Sequence, residues 1–144
     1  MIEIVNNVNL FKRFKNDKVT LDEIKDLIVE QASFFYKESY EDGFQEGTAD
    51  GFEEGYTDGK RGNKNMRDLQ CEDNPHTFFF SEINDILEAF KADKLDFDAL
   101  KNSLSQLVRS YQREGFSLGY REGYEEYYLI GFEKGEEDET SKQT

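Results

Sequence analysis

Apolar residues recur along the chain at the three-and-four spacing of helices. Ile2, Ile4, Val5, Val8, Leu10, Phe11 and Phe14 make an apolar lead-in, and Leu10, Phe11 and Phe14 share a helical face. This predicts a short helix from Asn7 to Lys15, broken at Asn16-Asp17-Lys18. Thr20-Leu21-Asp22-Glu23 then has capping-box spacing. Leu21, Ile24, Leu27, Ile28, Ala32, Phe35 and Tyr36 follow on one stripe, which Ser39 and the glycines from Gly43 prolong. One long helix from Leu21 to about Arg61 is expected. Residues 63–80 read as a linker loop, because Asn74-Pro75 disfavours helix on its N-terminal side. Ser81 is expected to cap a second short helix through about Lys91, with Ile83, Ile86, Leu87 and Phe90 apolar. After a break at Ala92-Asp93-Lys94, Asp96 caps a second long helix from Phe97 to about Gly135. Residues 138–144 are expected to form a disordered acidic tail.

Glycines four apart dominate both long segments. Gly43, Gly47, Gly51, Gly55 and Gly59 form one run. Gly115, Gly119, Gly123, then Tyr127 where a glycine is due, then Gly131 and Gly135 form the other. A spacing of four keeps residues near one face of a helix, drifting by about 40° per step. It fits neither a strand nor collagen. Each helix-interior glycine costs about 1 kcal/mol against alanine, so nine of them, from Gly43 to Gly135 without Gly115, oppose folding by roughly 7–9 kcal/mol. That is comparable to the stability of a whole small domain. The stripe makes physical sense if another backbone approaches closely along it and gains dispersion contact. An acidic, glycine-rich disordered tract is the competing reading. The aromatics that follow the glycines (Phe44, Phe52, Tyr56, Phe116, Tyr120, Tyr124, Tyr128 and Phe132) argue against it.

The halves align without a gap at an offset of 76 residues. Phe14-Lys15-Asn16-Asp17-Lys18 meets Phe90-Lys91-Ala92-Asp93-Lys94, Glu46-Gly47 meets Glu122-Gly123, and Gly55-Tyr56 meets Gly131-Phe132. The expectation is an all-α tandem duplication of short helix, turn and long helix, forming one compact unit. Residues 1–62 are the first repeat and 81–137 the second, and the long helices pair through their Gly-x-x-x-Gly faces. The connection between the repeats favours an antiparallel pair, with parallel left open. Whether the glycine seam joins helices within one chain or between two is also open.

Charge narrows the function classes. The net charge is −14, and no Lys or Arg occurs between Glu38 and Gly59. Direct nucleic-acid binding and attraction to an anionic membrane are disfavoured. No apolar run is long enough to span a membrane, no signal peptide is read at the N-terminus, and Cys71 is alone. A reducing, cytoplasmic location is the expectation.

Candidate chemistry is sparse. His76 is the one histidine, and it sits beside Pro75 without a recognisable catalytic partner. Cys71 and His76 fall short of the four ligands of a structural zinc site. Counting an EF-hand loop from Asp50 puts Phe52 at a ligand position, and the period of four is not that of a calcium-binding β-roll. No phosphate loop occurs: Lys60 follows Gly59 without Ser or Thr after it. Acid pairs such as Glu53-Glu54 read as solvated surface rather than a glycosidase pair. The expectation is a protein that is not an enzyme, with no catalytic residues, no metal and no cofactor.

Tyr120, Tyr124, Tyr127 and Tyr128 crowd one helix. They either pack around the glycine seam or anchor a partner. Tyr120, Tyr124 and Tyr128 with Glu53 and Glu54 are the candidate partner surface. The stretches Tyr40-Glu41-Asp42-Gly43-Phe44-Gln45-Glu46-Gly47 to Gly55-Tyr56, and Gly115-Phe116 to Gly131-Phe132, resemble the Gly-x-x-x repeat adaptor family of eukaryotes. The resemblance spans residues 40–62 and 111–135. In that family two members pair through these repeats and help recruit a ribosome-recycling ATPase to the cytosolic iron–sulfur assembly machinery. Here both runs lie in one chain, and the C-terminal Trp used for docking has no counterpart. The resemblance implies a protein-binding adaptor or scaffold with a protein partner. The alternatives are a small acidic inhibitor occupying a basic nucleic-acid-binding surface of its target, and a homodimeric structural component.

Overall fold

The computed structural model describes residues 3–71 and 75–142. After a single 3-10 turn at Glu3–Asn6, the chain forms α1 (Val8–Lys15), α2 (Leu21–Arg61), α3 (Pro75–Lys91) and α4 (Phe97–Lys142). The described residues are all-helical, without strands. Two units divide them: one holds residues up to 36 together with 74–113, the other residues 37–73 and 114–144.

The first unit contains the apolar core. Phe11 and Phe14 of α1, Ile24 and Ile28 of α2, Phe79, Ile83 and Leu87 of α3, and Leu100 and Leu104 of α4 are all buried. Local signals place each helix. Asn7 caps α1, accepting a bond from the Leu10 amide at 3.1 Å. Thr20 and Glu23 cap α2 reciprocally, with the Glu23 amide donating to Thr20 Oγ1 at 3.1 Å. Asp96 caps α4 by accepting from the Ala99 amide at 2.8 Å.

The turn after α1 and the turn after α3 match bond for bond. The Lys18 amide donates to the Arg13 carbonyl and the Lys94 amide to the Ala89 carbonyl, both at 2.8 Å. Each turn passes through an aspartate at φ 61°, Asp17 and Asp93. A short polar side chain tolerates this left-handed geometry better than most. The two turns also face each other. Lys15 pairs with Asp93 and Lys91 with Asp17, both at 2.5 Å, while Lys15 lies over Phe90 and Lys91 over Phe14. The aspartates are well exposed, so each ion pair contributes about 0–1 kcal/mol. The contact between Phe14 and Phe90, stacked at 6.5 Å, is the more durable part of the junction.

In the second unit α2 and α4 run side by side with their glycines turned inward. A Cβ built at Gly43, Gly47, Gly51, Gly55 or Gly59 would fall within 3.0 Å of the carbonyl oxygen of Phe116, Tyr120, Tyr124, Tyr128 or Phe132 respectively. From the other side, Gly119, Gly123, Gly131 and Gly135 meet the carbonyls of Tyr40, Phe44, Phe52 and Tyr56 in the same way. Gly115 is buried. Partner numbers rise together along both helices, so this pair is parallel, not antiparallel.

The reason for that correction lies in the connection. Gly62, at φ 70°, ends α2, with the Asn63 amide returning to the Asp58 carbonyl at 3.1 Å. The chain then runs back along α4, with the Asn65 amide at Tyr128 and the Arg67 amide one turn earlier at Tyr124, which returns it as a parallel pair requires.

Two boundaries also differ from expectation. The second short helix starts at Pro75 rather than Ser81, so residues 75–80 are not linker. Proline is compatible with the first helical position, where an amide hydrogen has no intrahelical acceptor, and Phe79 adds a buried side chain. At the other end α4 continues to Lys142 instead of fraying from 138. Asp138 stands 76 residues after Gly62, and without a glycine there the helix does not turn off. Asp138 also pairs with Lys134 at 3.3 Å. Residues 1–2, 72–74 and 143–144 lie outside the described part.

Gly51→Leu should lower the melting temperature. Helix propensity alone would stabilise the variant by several tenths of a kcal/mol. The added side chain instead meets the Tyr124 backbone, which has no rotamer to yield, so a net loss of about 1–3 kcal/mol is expected. Thermal unfolding followed by circular dichroism checks the sign.

Candidate functional site

The row of rings on α4 begins from the spacing of its residues. Phe116, Tyr120, Tyr124, Tyr128 and Phe132 are four apart, and their rings follow one another at 5.8–6.4 Å between centroids. Beside them α2 presents Asp50, Glu54 and Asp58, also four apart. Tyr120 donates to Asp50 Oδ2 at 2.7 Å and Tyr128 to Asp58 Oδ2 at 2.6 Å.

The chain itself covers this row. Residues 63–71 form a strap whose main chain hydrogen-bonds to the phenols. The Asn65 amide donates to Tyr128 Oη at 2.8 Å and the Arg67 amide to Tyr124 Oη at 3.0 Å. Arg67 then closes the arrangement. Its guanidinium donates to Glu54 Oε2 and to Tyr120 Oη, both at 2.7 Å, and lies 4.6 Å from the Tyr124 ring centroid. Planar, multi-donor recognition of a carboxylate, a phenol and an aromatic face suits arginine and not lysine.

The candidate partner surface is corrected accordingly. Tyr124 and Tyr128 are fully buried and cannot anchor a partner from outside. Tyr120 is half-buried under Arg67, and Glu54 is taken by the same side chain. Of the five, Glu53 alone is exposed. The strap was hidden from sequence reasoning because residues 63–71 have no apolar period. Its signal was chemical: buried phenols need hydrogen-bond partners, and Arg67 is a cation adjoining a helix whose facing stretch is purely acidic.

Burial raises the Tyr128 phenol to about 12, and its bond to the Asp58 carboxylate pushes in the same direction. Burial likewise raises Tyr120, with Asp50 adding to it and Arg67 opposing it. Arg67 is held more firmly protonated than usual, first by Glu54 and then by Tyr120.

The opposite face of the pair uses other residues. Tyr40 hydrogen-bonds to Glu122, and Tyr56 donates to Asp138 Oδ2 at 2.7 Å. That bond holds the Asp138 carboxyl below the usual range and the Tyr56 phenol above it. Between them Phe44 and Thr48 are half-buried and Phe52 is 38% exposed. Ile130 and Leu129 of α4 are 46% and 48% exposed.

In the first unit His76 hydrogen-bonds to Tyr111 and lies 5.0 Å from the Tyr36 ring. Burial raises the Tyr111 phenol to about 12. Among the described residues no three His, Cys, Asp or Glu side chains converge as a metal-binding set, and no helix is long and apolar enough to cross a membrane.

Tyr128 sets a pH limit on the strap. Its unfolded phenol ionises near 10 and its folded phenol near 12. The unfolded state therefore binds fewer protons across that window, and stability is complete below pH 10 and falls as pH rises toward 12. Tyr128→Phe should remove this component from the alkaline limb. It should also destabilise by about 1–3 kcal/mol at neutral pH, because the Asn65 amide loses its acceptor. Hydrogen exchange at Asn65 and a tyrosinate absorbance titration of both proteins measure the two effects.

No protein-family model, characterised protein or solved structure matches the chain.

Proposed function

We propose that this chain is a non-enzymatic protein-binding adaptor or scaffold, built as a tandem duplication whose two long helices join through their glycine faces. The reciprocal turns at Asp17 and Asp93, and the glycine contacts that run in both directions between α2 and α4, support the duplicated architecture. The observation that carries the binding role is the exposure of large apolar side chains on acidic helices: Phe52 on α2, and the neighbours Leu129 and Ile130 on α4. Contiguous exposed apolar surface marks interaction sites more often than isolated residues do. The resemblance of the two glycine runs to the Gly-x-x-x repeat adaptors favours the same class.

A homodimer built by exchange of glycine faces is the weaker reading, since each glycine run already faces a backbone of its own chain. The acidic-inhibitor reading draws on the net charge of −14. The two differ in salt dependence, because binding to a basic nucleic-acid groove weakens steeply with ionic strength while apolar contact does not.

A tagged pull-down from the native cell, washed at low and at high salt, decides between them. The adaptor predicts a partner retained at high salt and not displaced by duplex DNA or RNA. A nucleic-acid-binding partner lost in salt and displaced by duplex would establish the inhibitor instead.

A further inference from the structure

The strap of residues 63–71 rests on the helix pair without taking part in its packing. Residues 63–68 and Gln70 are exposed, and Leu69 and Cys71 are half-buried, so no residue of the strap is fully buried. The bonds that seat it are polar: the Asn65 amide on Tyr128, the Arg67 amide on Tyr124, and the Arg67 guanidinium on Glu54 and Tyr120. The glycine seam is made of other atoms. Those that crowd each of its nine glycines belong to the opposite long helix. The duplicated position shows that the seam closes even where the ring beside it is partly uncovered. A shift of 76 residues carries Tyr128 onto Phe52. Gly131 meets the Phe52 carbonyl just as Gly55 meets that of Tyr128, yet Phe52 is 38% exposed whereas Tyr128 is fully buried.

We propose that residues 63–71 are a latch, which opens as a unit from a helix pair that stays closed, with Arg67 as its pin. Arg67 holds the strap by two kinds of bond at once, through its amide and through its guanidinium. The guanidinium bonds involve a charge and outweigh the neutral amide–phenol bonds. One end of the strap has room to swing. Gly62 turns the chain off α2 at φ 70°, and among the described residues nothing lies within 4 Å of where its Cβ would stand. Opening uncovers Tyr120, Tyr124 and Tyr128 beside Asp50, Glu54 and Asp58, a face of rings and carboxylates that the closed chain hides. Ionic strength biases the latch. The Arg67 and Glu54 side chains are 47% and 40% exposed, so dissolved salt screens their attraction. The latch stands whether or not the chain is an adaptor.

The test is native-state amide hydrogen exchange on the full chain, read at Asn65 and Arg67 for the strap and at Gly51 and Gly123 for the seam. In the wild type the two strap amides should exchange together, about a hundredfold faster than the seam amides after correction for intrinsic rates. Low urea should accelerate the seam amides and leave the strap amides nearly unchanged, because opening the strap exposes little surface. Arg67→Met should raise strap opening by about tenfold or more, the scale of one hydrogen bond to a charged group. The gap between strap and seam should persist in this variant, since losing the pin weakens the closed form against the open and the unfolded forms alike. Raising sodium chloride from about 0.02 to about 0.5 M should open the wild-type strap roughly twofold to fivefold further and leave Arg67→Met unaffected.

Strap amides that exchange at the rate of the seam, with the same dependence on urea, would overturn the proposal by making strap and helices one cooperative unit. Asn65 and Arg67 exchanging at unrelated rates would overturn it too, since the strap would then fray piecemeal. Exchange at Asn65 unchanged in Arg67→Met would remove Arg67 as the pin, and strap amides without protection in the wild type would show that no latch closes.

Discussion

The second unit depends on one constraint: the backbones of α2 and α4 approach so closely that no Cβ fits between them at the glycine positions. Such an approach brings many peptide atoms to van der Waals distance, and the individually small attractions add along the helices. It also explains why the glycines are tolerated. Their helix penalty of about 1 kcal/mol each would leave an isolated helix of this composition unfolded. The contact also dictates register. A carbonyl of one helix sits over each of nine glycines of the other, so a slide by one residue would set side chains against backbone along the seam.

From the parallel register follows the need to return. Two successive helices that point the same way require the chain to travel back between them, and part of that return is the extended strap of residues 63–71. An extended segment on a helix surface has no ladder to satisfy its amides. Here the phenols of Tyr124 and Tyr128 accept two of them, and Asp58 accepts the Tyr128 proton in turn. The tyrosines thus serve the strap rather than an outside partner. An aliphatic side chain would pack as well and leave those amides without acceptors.

Much of the architecture was legible from short-range signals. The capping box at Thr20 and Glu23, the cap at Asp96 and the breaks at Asp17 and Asp93 all involve residues within a few positions of each other, so sequence alone reports them. What was misread depended on longer-range geometry. Antiparallel packing looked economical because a connecting segment without apolar period gave no reason to expect it to lie along a helix. The start of α3 was missed because Pro75 was read for what it forbids before it, not for what it permits after it. The order of the tail is not legible from its position near a terminus, because Asp138 is held by Tyr56 and Lys134. The candidate partner surface failed for the same reason as the connection: nothing near Tyr124 in sequence announces Arg67.

The two faces of the pair share the glycine contacts and differ in the residues around them. The glycine positions keep the helix contact, and tyrosine–carboxylate bonds join the helices on each face, at Tyr120 and Tyr128 on one and at Tyr40 and Tyr56 on the other. Residues that do not touch the seam are free to diverge, and they diverge together. Gly62 corresponds to Asp138, Glu54 to Ile130 and Tyr128 to Phe52. Each change alone would be unfavourable on the strapped face: an unbroken helix would abolish the strap, an isoleucine would strand Arg67, and a phenylalanine would leave the Asn65 amide unbonded. On the other face all three occur, and Phe52 and Ile130 stand partly exposed there.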